Sequence, residues 1–491
     1  MLSRIKKFLL ENSNVRQTIL KNAFWLSVGA VGSKIIRAVM VIYAARVLGA
    51  GDYGIFSYAF GLVSIFSLFA DIGLSPLLTR ELSTHKSEEK RKYAGTIIIA
   101  KFCLLALSFI LVAVFAPLVS NIPEANPLLL LVGLLIVFDS IRSFGFAIIR
   151  AENRMEKEAR ISFVTELLTA ILAIFVLVFA PSVKNLVLSY LIGSGLGAIA
   201  ILALMKDYLR GIWANFDRAL AWKALKSALP YAMIGIFGGL MTNIDTYFIG
   251  YFMDADAVGL YAAALRPVMI LYLLPAFLTI AIFPALNKYV TDENSGAVRS
   301  LSERAILATL GVAIPIAVGG LILGGSLMHN IFGAPYAGSI LSFKILVLSI
   351  IPVFPGMIVG HMLFSKDARV SPVKAAVAGA VMNIVLDIIL IPKFGIAGSA
   401  VATLASLTVM NTILFYEAKK ISGIRLPAGI WKTVLASLFM GVIVYALLHA
   451  KWNSVFIIIM GAAVYVTMLY LLREKLLLEI FSSLKSKTPK N

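Results

Sequence analysis

The segment ARVLGAGDYGIFSYAFGLVSIF, Ala45–Phe66, carries four glycines, an arginine and an aspartate between long apolar runs. A related segment, GYFMDADAVGLYAAALRPVMIL, follows about 205 residues later at Gly250–Leu271. Aligning Gly54 with Gly259 also pairs Ala59 with Ala264, Val63 with Val268, Ile65 with Ile270 and Leu68 with Leu273. Each copy predicts two long helices joined by a glycine-containing outer turn. The chain is therefore predicted to contain an internal repeat.

The composition of the whole chain indicates a membrane protein. Of its 491 residues, 60% are hydrophobic and only 14% are charged, and the mean hydropathy is +0.93. A soluble domain has about a quarter of its residues charged and roughly half apolar. These values exclude an ordinary soluble protein and predict a chain that crosses the bilayer several times.

Fourteen apolar segments are long enough to cross a membrane, which takes about 20 residues in a helix. A helix also satisfies its own backbone hydrogen bonds in lipid. The predicted fold is an all-α integral membrane protein of about 14 transmembrane helices. The predicted spans are 19–47, 53–79, 93–117, 127–150, 159–180, 184–205, 224–250, 257–286, 303–326, 339–364, 371–391, 396–417, 428–449 and 454–472.

Basic residues are divided unevenly between the two sides of this topology. With the N-terminus inside, the inner segments hold 34 of the 44 Lys and Arg, and the outer loops hold four. Because positive residues concentrate in cytoplasmic loops, both termini are predicted to lie in the cytoplasm of a cell-membrane protein. The same bias explains the net charge of +19, so no nucleic-acid partner is expected.

The repeat divides the predicted helices into two lobes of six. Because each copy contains an even number of spans, the copies have the same orientation and form a parallel pseudo-repeat. The predicted organisation is an N-terminal lobe at 1–205, a charged cytoplasmic linker at 206–223 and a C-terminal lobe at 224–419. Residues 420–491 add spans 13 and 14 and a basic cytoplasmic tail. In transporters built from structural repeats, the substrate site lies between the repeats, near the midplane of the membrane.

Four stretches of the sequence resemble a known transporter family. RVLGAGDYGIFSYAFGLVSIFSLFADIGLSPLLTREL (46–82) resembles the start of the polysaccharide-exporting flippases, and NIDTYFIGYFMDADAVGLYAAALRPV (243–268) resembles the start of their second lobe. VMNIVLDIILIPKFG (381–395) and FGIAGSAVATLASLTV (394–409) resemble their eleventh and twelfth helices. The family belongs to the multidrug/oligosaccharidyl-lipid/polysaccharide superfamily. The resemblance implies a transporter that moves a polyprenyl-linked oligosaccharide outward by alternating access, for cell-surface polysaccharide assembly.

Cations inside the predicted spans are functional candidates because charges are costly in lipid. Lys34 and Arg37 share one helix face near the midplane, and Arg266 lies at a comparable depth on span 8. They could line one cleft and bind a lipid diphosphate, with Arg142 as a secondary candidate. The alternative is a structural ion pair or extension to the interface. Asp139 and Arg142, three residues apart, predict a pair with each other.

Two other intramembrane cations, Lys101 and Lys344, are predicted to extend to the interfaces instead, because each lies within a few turns of a span end.

Carboxylates in the spans are candidates for ion coupling, because an antiporter needs an acid that binds and releases H⁺ or Na⁺. Asp71, Glu166, Asp245 and Asp387 have the required chemistry. Asn383 precedes Asp387 by one turn, and the two could form part of a sodium site, since hard cations favour oxygen ligands. Such a pair could equally bridge neighbouring helices.

Enzyme signatures are absent from the sequence: the four histidines have no metal spacing, and no nucleotide-binding loop occurs. The predicted protein is a non-enzymatic flippase without a cofactor, a monomer by default, with the lipid bilayer and a lipid-linked oligosaccharide as its partners. The alternatives within the superfamily are a cation-coupled multidrug or metabolite antiporter and a lipid II flippase. A glycosyltransferase or polymerase would need catalytic carboxylates in a large outer loop, and the predicted outer loops are short.

Overall fold

The computed structural model describes residues 15–84, 87–210, 212–292, 294–366, 368 and 370–474. The secondary structure of these residues consists of α-helices and short 3₁₀ helices, which confirms the predicted fold class. The α-helices are α1 (Val15–Ser67), α2 (Leu74–Thr84), α3 (Ser87–Val119), α4 (Asn126–Ala151), α5 (Met155–Phe179), α6 (Val183–Leu204), α7 (Lys206–Leu209), α8 (Arg218–Phe252), α9 (Ala255–Leu271), α10 (Leu273–Thr291), α11 (Ser295–Phe332), α12 (Ile340–Val347), α13 (Ile350–Ser365), α14 (Val370–Ser422), α15 (Ile430–His449) and α16 (Ser454–Leu471).

Two of these helices each consist of two helical segments joined at a kink. Gly49 interrupts α1 with non-helical dihedral angles, and Gly395 interrupts α14 in the same way. Both kinks fall in the turns predicted between spans 1 and 2 and between spans 11 and 12. The described residues contain 11 helices that are long and apolar enough to cross a membrane, or 12 if one bent pair is a single span. The predicted count of fourteen, which treats each side of the two kinks separately, stays a prediction.

Three predicted spans are not continuous helices. Span 2 is broken by a 3₁₀ turn at Leu68–Ala70 and by the left-handed residues Ile72 and Gly73. A methyl group at Gly73 would lie 2.7 Å from the Ala228 carbonyl oxygen, so α8 packs directly against the break. Span 8 is divided between α9 and α10. Span 10 bends by 44° between its two halves.

The chain forms two compact units, Met1–Ala262 and Ala263–Asn491. In the first, α5 packs against α1 and α6, and α6 packs against α4. In the second, α15 packs against α11 and α16, and the Tyr465 hydroxyl of α16 donates to the Gly311 carbonyl oxygen of α11 at 2.6 Å. The predicted lobe boundaries follow the repeat rather than packing and stay a prediction. Most of the predicted basic tail, 475–491, lies outside the described residues.

The two glycines that align the repeat lie against each other in the first unit. A methyl group at Gly54 would lie 1.7 Å from the Ala255 carbonyl oxygen and 2.9 Å from the Gly259 nitrogen. A methyl group at Gly259 would lie 1.9 Å from the Ala50 carbonyl oxygen and 3.1 Å from the Gly54 nitrogen. Ala50 and Ala255 are themselves equivalent in the repeat. The contact is therefore reciprocal, as a local two-fold relation requires, and it needs residues without side chains for the backbones to approach.

Candidate functional site

A polar cavity of about 370 Å³ lies within the first unit. It is formed by α1, α4 and α5, whose lining residues recur every four positions and therefore share one face of each helix. The charged residues that line it are Lys34, Arg37, Arg142, Arg150, Glu158 and Glu166. Close packing of α1 on α5 brings them together, since a methyl group at Gly29 would lie 2.7 Å from the Ala159 Cα.

Glu166 joins two arginines from two other helices. The Arg37 Nη2 and Nε atoms donate to Glu166 Oε1 and Oε2 at 2.6 and 3.0 Å. Arg142 Nη2 lies 3.7 Å from Glu166 Oε1 and 2.9 Å from Asp139 Oδ1, which confirms the predicted Asp139–Arg142 pair. The Ser194 hydroxyl donates to the same Asp139 oxygen at 2.5 Å. We call these two arginines the arginine clamp: Glu166 lies between them, and Asp139 holds Arg142 from its other side.

The exposure of the clamp differs between its members. The Arg37 side chain is 43% exposed although its partner Glu166 is only 8% exposed. Its guanidinium carbon lies 5.9 Å from the centre of the Tyr190 ring, within the range of a cation–π contact. Arg142 is more enclosed, at 11%. The two hydrogen bonds to Glu166 fix where the Arg37 guanidinium points, and the ion pair with Asp139 does the same for Arg142.

A second ion pair lies on the same wall of the cavity. Arg150 donates to Glu158 through Nε and Nη2, at 2.8 and 2.5 Å. Lys34 is exposed, and no carboxylate of the described residues lies within ion-pair distance of it. Among the described lining residues, four cations face two carboxylates. Asp139, which pairs with Arg142 from outside the lining, brings the cluster to four cations and three carboxylates. The cavity therefore has an excess of positive charge and suits an anion.

Lys101 departs from the sequence prediction. It does not extend to the interface: the residue is 2% exposed. Its ammonium donates to Asp71 Oδ1 at 2.7 Å, to the Ser140 hydroxyl at 2.8 Å and to the Ala70 carbonyl oxygen at 2.9 Å. The break in span 2 turns the Ala70 carbonyl and Asp71 towards α3, and this explains why the lysine is retained in the interior.

The other ion-coupling candidates occupy separate places. Asp245 is 1% exposed and accepts a short hydrogen bond from the Tyr261 hydroxyl. Asn383 and Asp387 are both fully buried on α14. The side-chain amide of Asn383 has no hydrogen-bond partner among the described residues. Ion coupling at these positions and at Asp71 stays a prediction.

Arg266 belongs to the second unit, where it is half-buried on α9. It does not line the polar cavity of the first unit. Its predicted role in diphosphate binding stays a prediction, whereas Lys34, Arg37 and Arg142 do line one cavity.

The second unit contains a cavity of different character, with a volume of about 510 Å³. It is lined by α9, α11, α12, α15 and α16, and its walls are almost entirely apolar. Representative lining residues are Val312, Ile316, Leu323, Met440, Val444 and Val466. Spans 13 and 14, which the repeat does not contain, supply one side of this cavity. An apolar cavity of this kind suits a hydrocarbon chain.

Comparison with known families identifies the chain. The family described as polysaccharide biosynthesis protein matches residues 19–290, more than half of the sequence. The chain belongs to this family. The predicted resemblance to polysaccharide exporters is thereby confirmed.

Relatives match this chain along most of its length. It is 25% identical over 378 residues to the "Probable low-salt glycan biosynthesis flippase Agl15" of Haloferax volcanii, covering 76% of this chain and 78% of that protein. It is 20% identical to the capsular polysaccharide biosynthesis protein CapF of Staphylococcus aureus, covering 82% of this chain and all of that protein.

Solved structures show the same fold at lower identity. The lipid II flippase MurJ in an inward closed conformation has a TM-score of 0.73 at 18% identity, over 92% of this chain and 99% of that chain. A multidrug resistance MATE family transporter of the MOP superfamily, seen in an inward-facing conformation, has a TM-score of 0.66 at 14% identity, over 81% and 98%. The chain therefore has the fold of these membrane transporters.

Proposed function

We propose that this protein flips a polyprenyl-diphosphate-linked oligosaccharide from the cytoplasmic to the outer leaflet by alternating access, for cell-surface polysaccharide assembly. One relative is named as a probable low-salt glycan biosynthesis flippase and another as a probable flippase, which supports this substrate class. The protein would act in the cell membrane as a monomer with cytoplasmic termini. It would carry out transport without catalysis or a bound cofactor.

The observation that carries the proposal is the excess of cations in the polar cavity. A lipid diphosphate presents several charged oxygens close together, and the planar guanidinium of arginine binds two such oxygens at once. Arg37 and Arg142 already bind the oxygens of one carboxylate from two directions. Lys34 is exposed and lines the same cavity, where it adds a third cation.

The other parts of the substrate also have chemical counterparts in the protein. The polar cavity of the first unit is also lined by Ser33 and Ser162, whose hydroxyl groups have the chemistry to hydrogen-bond to sugars. The apolar cavity of the second unit can accommodate isoprene units without desolvating any charge. A substrate with a charged linkage and a hydrocarbon tail thus matches both surfaces.

The drug-antiporter alternative is less well supported. Cationic substrates would be attracted by an acid-dominated cavity, whereas this cavity has four cations against two carboxylates. A lipid II flippase requires the same diphosphate chemistry, and the MurJ likeness at 18% identity concerns the fold. We therefore distinguish the two flippase substrates by experiment.

The coupling ion is proposed to be H⁺ or Na⁺. Asp71 is already neutralised by Lys101 and Glu166 by Arg37, so both are weak candidates for a metal ion. Asn383 and Asp387 lie one turn apart in a fully buried position, and the Asn383 amide oxygen is available as a ligand. We rank this pair first for sodium.

Purified protein in proteoliposomes tests the substrate class. A fluorescent polyprenyl-diphosphate oligosaccharide, a lipid II analogue and a cationic dye are each supplied with an imposed Na⁺ gradient, an H⁺ gradient or none. We expect the oligosaccharide lipid to be flipped at least tenfold faster than in protein-free vesicles, and faster than the other two substrates. Transport of the dye alone would contradict the proposal, and preference for the lipid II analogue would replace its substrate.

A further inference from the structure

The arginine clamp already holds an anion supplied by the protein itself. The Glu166 carboxylate receives two hydrogen bonds from Arg37, at 2.6 and 3.0 Å, and lies 3.7 Å from Arg142. It is 8% exposed, whereas Arg37 faces the cavity with 43% of its side chain exposed. The carboxylate therefore occupies the inner side of the clamp, and the outer side remains open.

We propose that Glu166 is an internal counter-anion that substrate diphosphate displaces, so that binding is an exchange of anions on Arg37 and Arg142. This inference rests on the proposed function, because it names the residue that competes with the substrate at the same cations. Glu166 then limits how tightly the diphosphate is held, and takes back the clamp when the substrate leaves.

Exchange avoids the main cost of handling charges in a membrane. A guanidinium without a partner in the interior is strongly destabilising. A bidentate carboxylate and a phosphate group present oxygens with similar spacing to arginine, so one can replace the other while the cation stays paired. In the absence of substrate, Glu166 fulfils this role.

The groups around Glu166 support an exchange. Asp139 pairs with Arg142 at 2.9 Å and stabilises this cation while Glu166 moves. The Tyr190 ring centre lies 5.9 Å from the Arg37 guanidinium carbon, so Arg37 has an uncharged contact in addition to Glu166. Lys34 lines the same cavity without a carboxylate partner among the described residues, and it adds positive charge for the displaced side chain and the substrate together.

Glu158 provides a matched comparison on the same helix. It lies eight residues before Glu166, about two turns away on the same face of α5, and it also binds one arginine in a bidentate manner. Among the described residues, Glu158 forms an ion pair with Arg150 alone, and neither clamp arginine pairs with it. A general effect of removing negative charge from the cavity would appear equally at both positions.

The test is the binding of inorganic pyrophosphate to purified protein in nanodiscs, by calorimetry, for the wild type, Glu166→Gln, Glu166→Asp and Glu158→Gln. If Glu166 occupies the clamp about nine-tenths of the time, its removal should tighten pyrophosphate binding about tenfold. We expect Glu166→Asp, whose carboxylate is withdrawn by one methylene, to give an intermediate gain. Glu158→Gln, which frees Arg150 but neither clamp arginine, should give a clearly smaller gain than Glu166→Gln. In the flipping assay Glu166→Gln should bind the lipid more tightly but release it more slowly, lowering the turnover.

Several results would overturn the exchange. Unchanged or weaker pyrophosphate binding by Glu166→Gln, in protein with the wild-type unfolding temperature, would show that the carboxylate does not compete. Equal gains in Glu166→Gln and Glu158→Gln would reduce the effect to general charge. If Glu166→Gln does not fold, Glu166→Asp decides alone, and an affinity equal to the wild type counts against the exchange.

The outcome for the proposed function is separate. If the wild type flips the oligosaccharide lipid but the Glu166 variants bind pyrophosphate with wild-type affinity, the proposed function stands and the anion exchange is refuted. If the wild type neither flips the lipid nor binds pyrophosphate, both proposals are refuted.

Discussion

The polar cavity of the first unit and the apolar cavity of the second are similar in size and opposite in chemistry. The first, of about 370 Å³, is held in shape by ion pairs between helices far apart in sequence. The second, of about 510 Å³, is shaped by glycines and branched aliphatic side chains. A charge must be paired to persist in the membrane interior, whereas an apolar wall needs no partner. The first cavity is therefore chemically specific, and the second is tolerant of any hydrocarbon.

The largest effect in this comparison is expected at Arg37. Arg37→Gln removes two charge-assisted hydrogen bonds, each worth about 1.5–3 kcal/mol, and leaves Glu166 without its main partner. We expect flipping of the oligosaccharide lipid in proteoliposomes to fall about 100-fold or more. Lys184→Gln, an exposed cation outside this cavity, is the control and should retain normal flipping. Normal flipping by folded Arg37→Gln would assign this arginine a structural role.

The next effect concerns stability of the first unit. Lys101→Met deprives Asp71 of its cation, and because Asp71 is about one-third exposed we discount the buried-pair cost to about 2 kcal/mol. Chemical denaturation of Lys101→Met, Asp71→Asn and the double variant forms a mutant cycle. We expect a coupling of at least about 1 kcal/mol. Additive effects would mean that Lys101 is held mainly by Ser140 and the Ala70 carbonyl.

The helix crossing at the repeat should be sensitive to a single methyl group. Gly54→Ala would place the new Cβ only 1.7 Å from the Ala255 carbonyl oxygen, so the backbone of one of the two helices must move. Overpacking of this kind costs about 1–3 kcal/mol. Gly235→Ala, in open space on α8, is the matched control and should leave thermal stability unchanged. A stable Gly54→Ala protein would show that the reciprocal contact is loose.

The smallest effect is expected in the apolar cavity. Gly319→Leu projects into open space in this cavity and should displace part of a bound hydrocarbon chain. Because the tail makes many weak contacts and keeps most of them, we expect KM for the long-chain lipid to rise only about fourfold, as for loss of about one buried methylene. Gly325→Leu on the same helix, also in open space but away from the cavity lining, is its control. An equal rise for a short-chain substrate would show that this cavity does not bind the tail.

Local sequence patterns predicted much of the fold. Long apolar runs specify membrane helices. The gaps predicted between spans 1 and 2 and between spans 11 and 12 contain the two kinks, at Gly49 and Gly395. The Asp139–Arg142 pair was also predictable, because side chains three positions apart on a helix lie next to each other on its surface. Repeat alignment identified Gly54 and Gly259, which turned out to contact each other.

The pairings that build the site were not predictable in this way. Arg37 and Glu166 are 129 residues apart. Lys101 and Asp71 meet because the break in span 2 turns Asp71 towards α3, the helix that carries Lys101. A single sequence gives no long-range pairing, so Lys101 was assigned wrongly to the interface. One available signal was the series Glu158, Ser162 and Glu166, which places polar groups at four-residue intervals along one face of α5.

Cryo-electron microscopy of the protein in nanodiscs with a short-chain polyprenyl-diphosphate oligosaccharide tests the central claim, that the arginine clamp binds the substrate diphosphate, most directly. We expect density for the two phosphates between Arg37 and Arg142, with the Glu166 side chain turned away from them. Diphosphate density at another set of residues, with Glu166 still bound to Arg37 as in the unliganded structure, would contradict it.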